Sequence, residues 1–451
     1  MLGPQGMGSV NFIDSFTQYF ILFAALGIPV YGIREISKVR HNQHSLNKIF
    51  SEIFFIHVFS TILFAMLYLL LGYSIPSLQK NLDLIYIGIA IMAFNVLAVE
   101  WVFIGIEKFA YLTKRTLVVR IICIILMFLL LSHQATSTYY YLTYASISIL
   151  CGISNLFIVN KYVKFHFSQL QFKKHIKPLF IILSTALAVS VYILLDTIIL
   201  GFIKGDVAVG YYSAAVRIVR LPFAFIGAIS AVIIPQISRA YNEKKIAEVQ
   251  KLLNKSFSFI CIVGFPICMG LLISSSFIIT SFAGHKFDNS IIALQILTPV
   301  IMLVGINSIF GAQLLTPFGK EKELLWCVLV GMFCSLVLNL ILIPYLSFIG
   351  AAITNVITEL LVTLLCFLFA RRHIVIRFDN KILFNSFIGA LMFIPLAFLI
   401  RSMHLGYRIG ELLIIVLCMI FYVTYFWFFV KNQYIENMKR SLISKLPAFR
   451  G

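Results

Sequence analysis

Apolar residues in this chain come in long runs, separated by short clusters of charged and turn-forming residues. Thirteen such stretches can be drawn: 7–33, 50–74, 83–105, 112–132, 138–160, 178–202, 209–235, 256–283, 290–316, 324–345, 348–370, 383–400 and 410–430. A helix needs about 20 mostly apolar residues to cross the hydrocarbon core of a bilayer. The connections are too short to hold a soluble domain, and Asp, Asn, Gly and Pro occur in them, as turn chemistry predicts. The pattern predicts an all-helical, polytopic membrane protein with thirteen visible spans. The opening MLGPQGMGSV has neither the basic n-region nor the short apolar core of a signal peptide.

The cations orient these spans. Arg34, Lys38, Arg40 and Lys48 follow the first stretch, and Lys161, Lys164, Lys173, Lys174 and Lys177 follow the fifth. Intervening connections carry few, with Lys80, Lys204 and Lys286 one apiece and Arg401 and Arg408 together in the last. The positive-inside rule places the basic connections and the C-terminus in the cytoplasm, and the first visible residue outside. The formal net charge of +19 is then mostly topology and contact with anionic lipid, and nucleic-acid binding is a poor reading of it. Composition agrees: 61% of residues are apolar and 12% charged, against about 45–50% and about 25% in soluble domains. All eight cysteines (Cys123, Cys151, Cys261, Cys268, Cys327, Cys334, Cys366 and Cys418) lie in apolar stretches without a CxxC or Cys/His cluster. They read as small core hydrophobes. The sequence has no metal-ligand cluster, P-loop or hydrolytic triad, so neither a cofactor nor an enzymatic activity is expected.

The two halves resemble each other. Gly3 and Gly8 flank a turn that opens a helix, as do Gly205 and Gly210; Ile36-Ser37-Lys38 recurs as Ile237-Ser238-Arg239, and Gly105-Ile106-Glu107-Lys108 as Gly319-Lys320-Glu321-Lys322. The repeat is parallel. It predicts an N-terminal lobe over 1–165, a C-terminal lobe over 166–375, and two extra helices with a cytoplasmic tail over 376–451. The second repeat opens with helix 178–202, which has no counterpart before Gly3, so one N-terminal helix is expected to be missing. Two parallel halves imply a transporter whose cleft opens alternately to either side.

The opening LGPQGMGSVNFIDSFTQYFILFAALGIPVYGIREISKVR resembles the second-helix signature of the Wzx-type oligosaccharide (O-antigen) flippases, within the multidrug/oligosaccharidyl-lipid/polysaccharide exporter superfamily. Glu100-Trp101-Val102-Phe103-Ile104-Gly105-Ile106-Glu107-Lys108 is similar to that family's aromatic-Gly-Glu segment. Asp196-Thr197-Ile198-Ile199-Leu200-Gly201, with Gly205 and Gly210-Tyr211-Tyr212, is similar to its seventh-to-eighth helix junction. The resemblance implies flipping of an undecaprenyl-diphosphate-linked oligosaccharide from the cytoplasmic to the outer leaflet of the bacterial cytoplasmic (inner) membrane. Its partners would be membrane lipid, the lipid-linked oligosaccharide, and a polysaccharide polymerase and glycosyltransferases.

Seven ionisable residues fall well inside spans: Asp14, Glu100, Arg120, Asp196, Arg217, Arg220 and Glu359. Each costs about 3 kcal/mol at a helix centre before pairing, so they should face a cavity or each other. Arg217 and Arg220 share a helix face, and two guanidiniums on one cavity wall suit a diphosphate; Asp196, at similar depth, would hold one of them without substrate. Asn11, Asp14 and Gln18 form a polar stripe suited to sugar hydroxyls, which need both donors and acceptors. Glu100 and Arg120 are candidates to pair, the alternative being that Arg120 snorkels to the cytoplasmic surface. Asn355 and Glu359 lie near the midplane, and Asp14, Asp196 or Glu359 could carry a coupling proton. Arg34, Glu35, Lys38 and Arg40 are read mainly as topology and headgroup anchoring. Prolines 29, 222, 235, 266 and 299 fall within spans, where each can bend its helix. The alternatives are a drug/cation antiporter of the same superfamily, which would favour a carboxylate-rich lumen, and a membrane scaffold for glycan-assembly enzymes. A membrane glycosyltransferase would need a longer extramembrane loop than any here.

Overall fold

The structure, a computed structural model, describes residues 2–133, 136–168, 170–403 and 406–428, with the side chains of 131–133, 181 and 185–193 outside that description. The end of the last expected span and the whole C-terminal tail therefore lie outside the described residues. Among the described residues all regular structure is helical: α1 Pro4–Ala25, α2 Ile28–Val39, α3 Gln43–Ser74, α4 Pro76–Gln79, α5 Leu82–Ala98, α6 Glu100–Gly105, α7 Phe109–His133, α8 Ser137–Val159, α9 Lys173–Lys204, α10 Asp206–Arg220, α11 Phe223–Asn242, α12 Ile246–Ile273, α13 Ser275–Phe282, α14 Ser290–Leu297, α15 Val300–Phe310, α16 Glu321–Ala370, α17 Asn380–Leu391, α18 Phe393–Ser402 and α19 Tyr407–Phe428. A 3-10 turn covers His285–Phe287 and a π-helical turn Gly311–Leu315. Among the described residues each of the thirteen expected stretches is mostly helical. Among the described residues ten helical segments are long and apolar enough to cross a membrane, and one of them, α16, is two helices joined across Ser347 (φ 54°).

Several spans are broken rather than continuous, and each break has a local cause. Leu26 and Gly27 both take positive φ, 49° and 79°, between α1 and α2, and Pro29 then starts α2, where its missing N–H has no helical partner to lose. Pro222 and Pro299 likewise sit at the starts of α11 and α15, whereas Pro235 and Pro266 lie inside α11 and α12. Val99 (φ 35°) separates α5 from α6.

The chain packs into two compact units that divide at Gly210 and Tyr211. In the first, α2 lies on α6 because Gly32 and Gly105 leave room. A Cβ on Gly32 would stand 2.5 Å from the Trp101 ring, and one on Gly105 2.6 Å from Ile36. Trp101, Phe50 and Tyr31 fill the core around this crossing. α9 packs on α1 with Gly201 against the Phe12 ring. Gly8 of α1 and Gly210 of α10 are closer still: their would-be Cβ atoms fall 1.6 Å from the Asp206 carbonyl oxygen and 2.0 Å from that of Pro4. Two of the glycines that marked the repeat, Gly8 and Gly210, thus lie backbone to backbone.

The second unit is centred on Phe257, Phe310, Leu314, Cys327 and Cys366, with the Phe257 and Phe378 rings stacked at 4.1 Å. A smaller core of Phe393, Ile414, Cys418, Tyr422 and Phe426 holds α18 and α19. One detail of the repeat is corrected. Lys108 N–H bonds Phe103 O (2.8 Å) and Glu107 N–H bonds Ile104 O (3.0 Å), the same pattern as Lys320 to Leu315 (2.8 Å) and Gly319 to Thr316 (3.0 Å). Glu107 (φ 61°), not Gly105, therefore stands where Gly319 (φ 69°) does, because the left-handed cap follows the helix end rather than the glycine.

Candidate functional site

The polar stripe of α1 is the start of a longer network. Asn11, Asp14 and Gln18 are half-buried, while Phe12, Ile13, Phe16 and Phe20 on the other faces are buried. Asp14 Oδ1 accepts long hydrogen bonds from Gln18 Nε2 and from the Tyr141 hydroxyl, both 3.4 Å. Tyr141 also reaches Thr17 Oγ1 at 3.3 Å, and Thr17 pairs with the Tyr68 hydroxyl at 2.8 Å. Tyr68 and Tyr141 have no solvent exposure. Gly88 of α5 makes the space, since a Cβ there would lie 2.4 Å from the Tyr68 oxygen. Two helices beyond α1, α3 and α8, thus complete a string of groups running from Gln18 through Asp14, Tyr141 and Thr17 to Tyr68. Helical periodicity on α1 marks Asp14 and Gln18, but the two tyrosines read as ordinary apolar-run residues. The glycine at 88, inside an apolar run, was the available hint of a close approach.

Asp196 is buried on α9, within electrostatic reach of Tyr19 on α1. In the second unit Arg217 and Arg220 are both exposed on α10, while Ile218 and Val219 between them are buried, so the arginines do share a face. Glu359 is buried and Asn355 half-buried on α16.

The partner expected for Glu100 is different. Its carboxylate pairs with Arg115 at 2.5 Å, and Arg120 is exposed. The cause is depth: α6 turns back into α7 near Lys108, which sets Glu100 and Arg115 about equally far from the turn. Arg120 lies roughly 7.5 Å deeper along α7. At the next basic connection Arg34 and Lys38 both pair with Glu35, at 3.1 and 2.9 Å, and Arg40 pairs with Glu107.

A second cluster was not foreseen. Glu52 of α3 is fully buried and gathers Lys174 Nζ (2.8 Å), His175 Nε2 (2.9 Å) and the Gln171 N–H (2.8 Å). His175 Nδ1 meets the Tyr31 hydroxyl at 2.7 Å. Lying two residues inside an expected span, Glu52 could have been found by the same insertion-cost argument as Asp14. At the α9–α10 turn, burial pushes the Asp206 carboxyl above its ordinary range, against the hydrogen bond from Asn81 Nδ2 at 3.1 Å. Among the described residues no group of three or more His, Cys, Asp or Glu could hold a metal ion.

Broken helices, a polar network beneath α1 and an exposed arginine pair on α10 define a multi-pass membrane protein of transporter build. Residues 1–241 match the polysaccharide biosynthesis protein family, and the chain belongs to that family. It is 26% identical over 375 residues to a protein of Escherichia coli strain K12 named "Putative O-antigen transporter", covering 82% of this chain and 90% of that one. It is 23% identical over 391 residues to the capsular polysaccharide biosynthesis protein CapF of Staphylococcus aureus, covering 82% and 92%. The fold is similar to that of the lipid II flippase MurJ in an inward closed conformation, with a TM-score of 0.68 and 97% of each chain covered at 17% identity.

Proposed function

We propose that this protein is a flippase that carries a polyprenyl-diphosphate-linked oligosaccharide across the bacterial cytoplasmic membrane for surface polysaccharide assembly. The observation that carries the reading is family membership, together with likeness along most of the chain to a relative named as an O-antigen transporter. In this reading the headgroup enters from the cytoplasm while the polyprenyl tail stays in lipid. Arg217 and Arg220 neutralise the diphosphate, and Asn11, Asp14 and Gln18 meet glycan hydroxyls, with the tyrosine network holding Asp14 in place. Asp196 and Glu359 are the candidate carriers of a coupling proton. The lobes are those of the repeat, 1–165 and 166–375, with α9 held to α1 of the first through Gly201 and Phe12, 376–451 as accessory helices and the C-terminus cytoplasmic. The chemistry is binding and release, so no covalent step is assigned. A polymerase and glycosyltransferases would supply and use the cargo.

The test is headgroup translocation in proteoliposomes. Lipid-linked oligosaccharide is placed in the inner leaflet and its exposure followed with an external glycan-cleaving enzyme. Exposure should occur with the unaltered chain and fall at least tenfold in Arg217→Ala with Arg220→Ala, since each charge-assisted contact contributes roughly 1.5–3 kcal/mol. Export of a cationic dye with no movement of the lipid would favour an antiporter instead.

A further inference from the structure

We propose that the groove between α3 and α9 binds an anionic glycerophospholipid of the cytoplasmic leaflet. The groove has a volume of about 590 Å³ and is apolar apart from Ser60; Phe55, Phe59 and Ile62 of α3 face Ile176, Leu179 and Phe180 of α9. Such a volume is in the range of small-molecule sites, about 300–1,000 Å³.

Three observations select the occupant. First, α3 and α9 are joined at the Glu52–Lys174–His175 cluster, and the groove opens beside it, from Phe172 and Ile176 on the α9 side and one turn past Glu52, at Phe55, on α3. It then continues for roughly 10 Å toward the membrane interior. A charged level with an apolar slot above it matches a lipid headgroup above its chains. Second, the charge at that level is unbalanced. Glu52 is satisfied by Lys174, His175 and Gln171, while Lys173 and Lys177, one helical turn apart, are exposed and have no ion-pair partner among the described residues. Basic pockets between transmembrane helices on the cytoplasmic side are a recognised mode of anionic headgroup binding. Third, Phe167 and Phe172 are exposed beside this level, with Phe172 lining the mouth. Aromatic rings suit the interface. The site is independent of the transported cargo and does not rest on the flippase reading.

The experiment is native mass spectrometry of the purified full chain, delipidated and then titrated with phosphatidylglycerol or with phosphatidylcholine of matched chains. Phosphatidylglycerol should be retained roughly thirtyfold more tightly, given about 1 kcal/mol for each of the two lysines near an anionic surface. Lys173→Gln with Lys177→Gln should abolish the preference, and both side chains are exposed, so folding should survive. Ile176→Trp should obstruct the groove beside the charged cluster and weaken lipid retention while the unfolding temperature is unchanged. Equal retention of the two lipids, or a preference that survives the double substitution, would overturn the site. So would a dimer that Ile176→Trp dissociates, which would make the groove an interface between copies. Stronger retention of a polyprenyl phosphate through the same lysines would also overturn it and give the groove to the cargo's lipid.

Discussion

Glu52, which the sequence did not single out, serves three partners at once. It has no solvent exposure, and its two oxygens serve a lysine, a histidine and a backbone N–H. Removing one partner of a buried pair costs about 3–5 kcal/mol, because the other is left without compensation. Lys174 is 42% exposed and can turn to water, so most of that penalty falls on His175 and Gln171. Glu52→Leu should therefore destabilise the chain by about 3 kcal/mol in a detergent unfolding scan, with Glu52→Gln costing less because an acceptor remains. Tyr141→Phe is a different case. It deletes the link between Asp14 and Thr17 without opening a cavity, so stability should fall by only about 1 kcal/mol. If the network positions Asp14 for transport, headgroup translocation should fall several-fold in the same variant. A translocation rate equal to that of the unaltered chain would make the network purely structural. Asp14 and Gln18 were legible because period and polarity mark them on one helix. Tyr68, Tyr141 and Arg115 were not, because their roles depend on which residue of another helix lies at the same depth.

At the level of elements, close glycine approaches and local breaks shape the helices more than apolar length does. Gly8 faces backbone rather than a yielding side chain, so even one methyl cannot be accommodated by a rotamer change. Gly8→Ala should cost at least about 2 kcal/mol, in the upper part of the overpacking range. Gly227→Ala, with nothing near its would-be Cβ, should be neutral or slightly stabilising. The turn opened by Asp206 adds a pH dependence. Its carboxyl is raised by burial, with Lys80 and Asn81 opposing. The folded chain thus binds this proton at a pH where the unfolded chain has released it, so this contribution to stability falls as pH rises through the window between the two values. Asp206→Asn should remove that slope from unfolding scans run from acidic to neutral pH. Helix positions were readable from hydropathy, and Pro29, Pro222 and Pro299 announced three of the breaks. The break at Ser347 falls between the expected spans 324–345 and 348–370, just after Pro344, whereas the break at Val99 carries no glycine or proline and could not be read, since nothing in a β-branched residue demands positive φ.

For the whole molecule, the alternation of basic connections is the feature that joins structure to energetics. It was fully legible, because a chain that is 61% apolar has few other places to put 36 cations. The grouping of helices was less so: the repeat assigns 178–202 to the second half, whereas contact places α9 with the first unit, through Gly201 against Phe12. Sequence similarity reports ancestry, and packing reports the contacts this chain makes. If the proposed cargo crosses as a diphosphate, about two negative charges move outward, each worth about 2.3 kcal/mol per 100 mV. An inside-negative potential then drives the headgroup out without a coupling ion, and a compensating proton would weaken that dependence. Proteoliposomes with an imposed potassium diffusion potential separate the two cases. Uncoupled movement should accelerate when the cargo side is negative and slow when it is positive, with Asp196→Asn and Glu359→Gln leaving the dependence intact. Transport that ignores the potential but requires a pH gradient, and loses that requirement in one of these two variants, would identify the carboxylate that carries the proton.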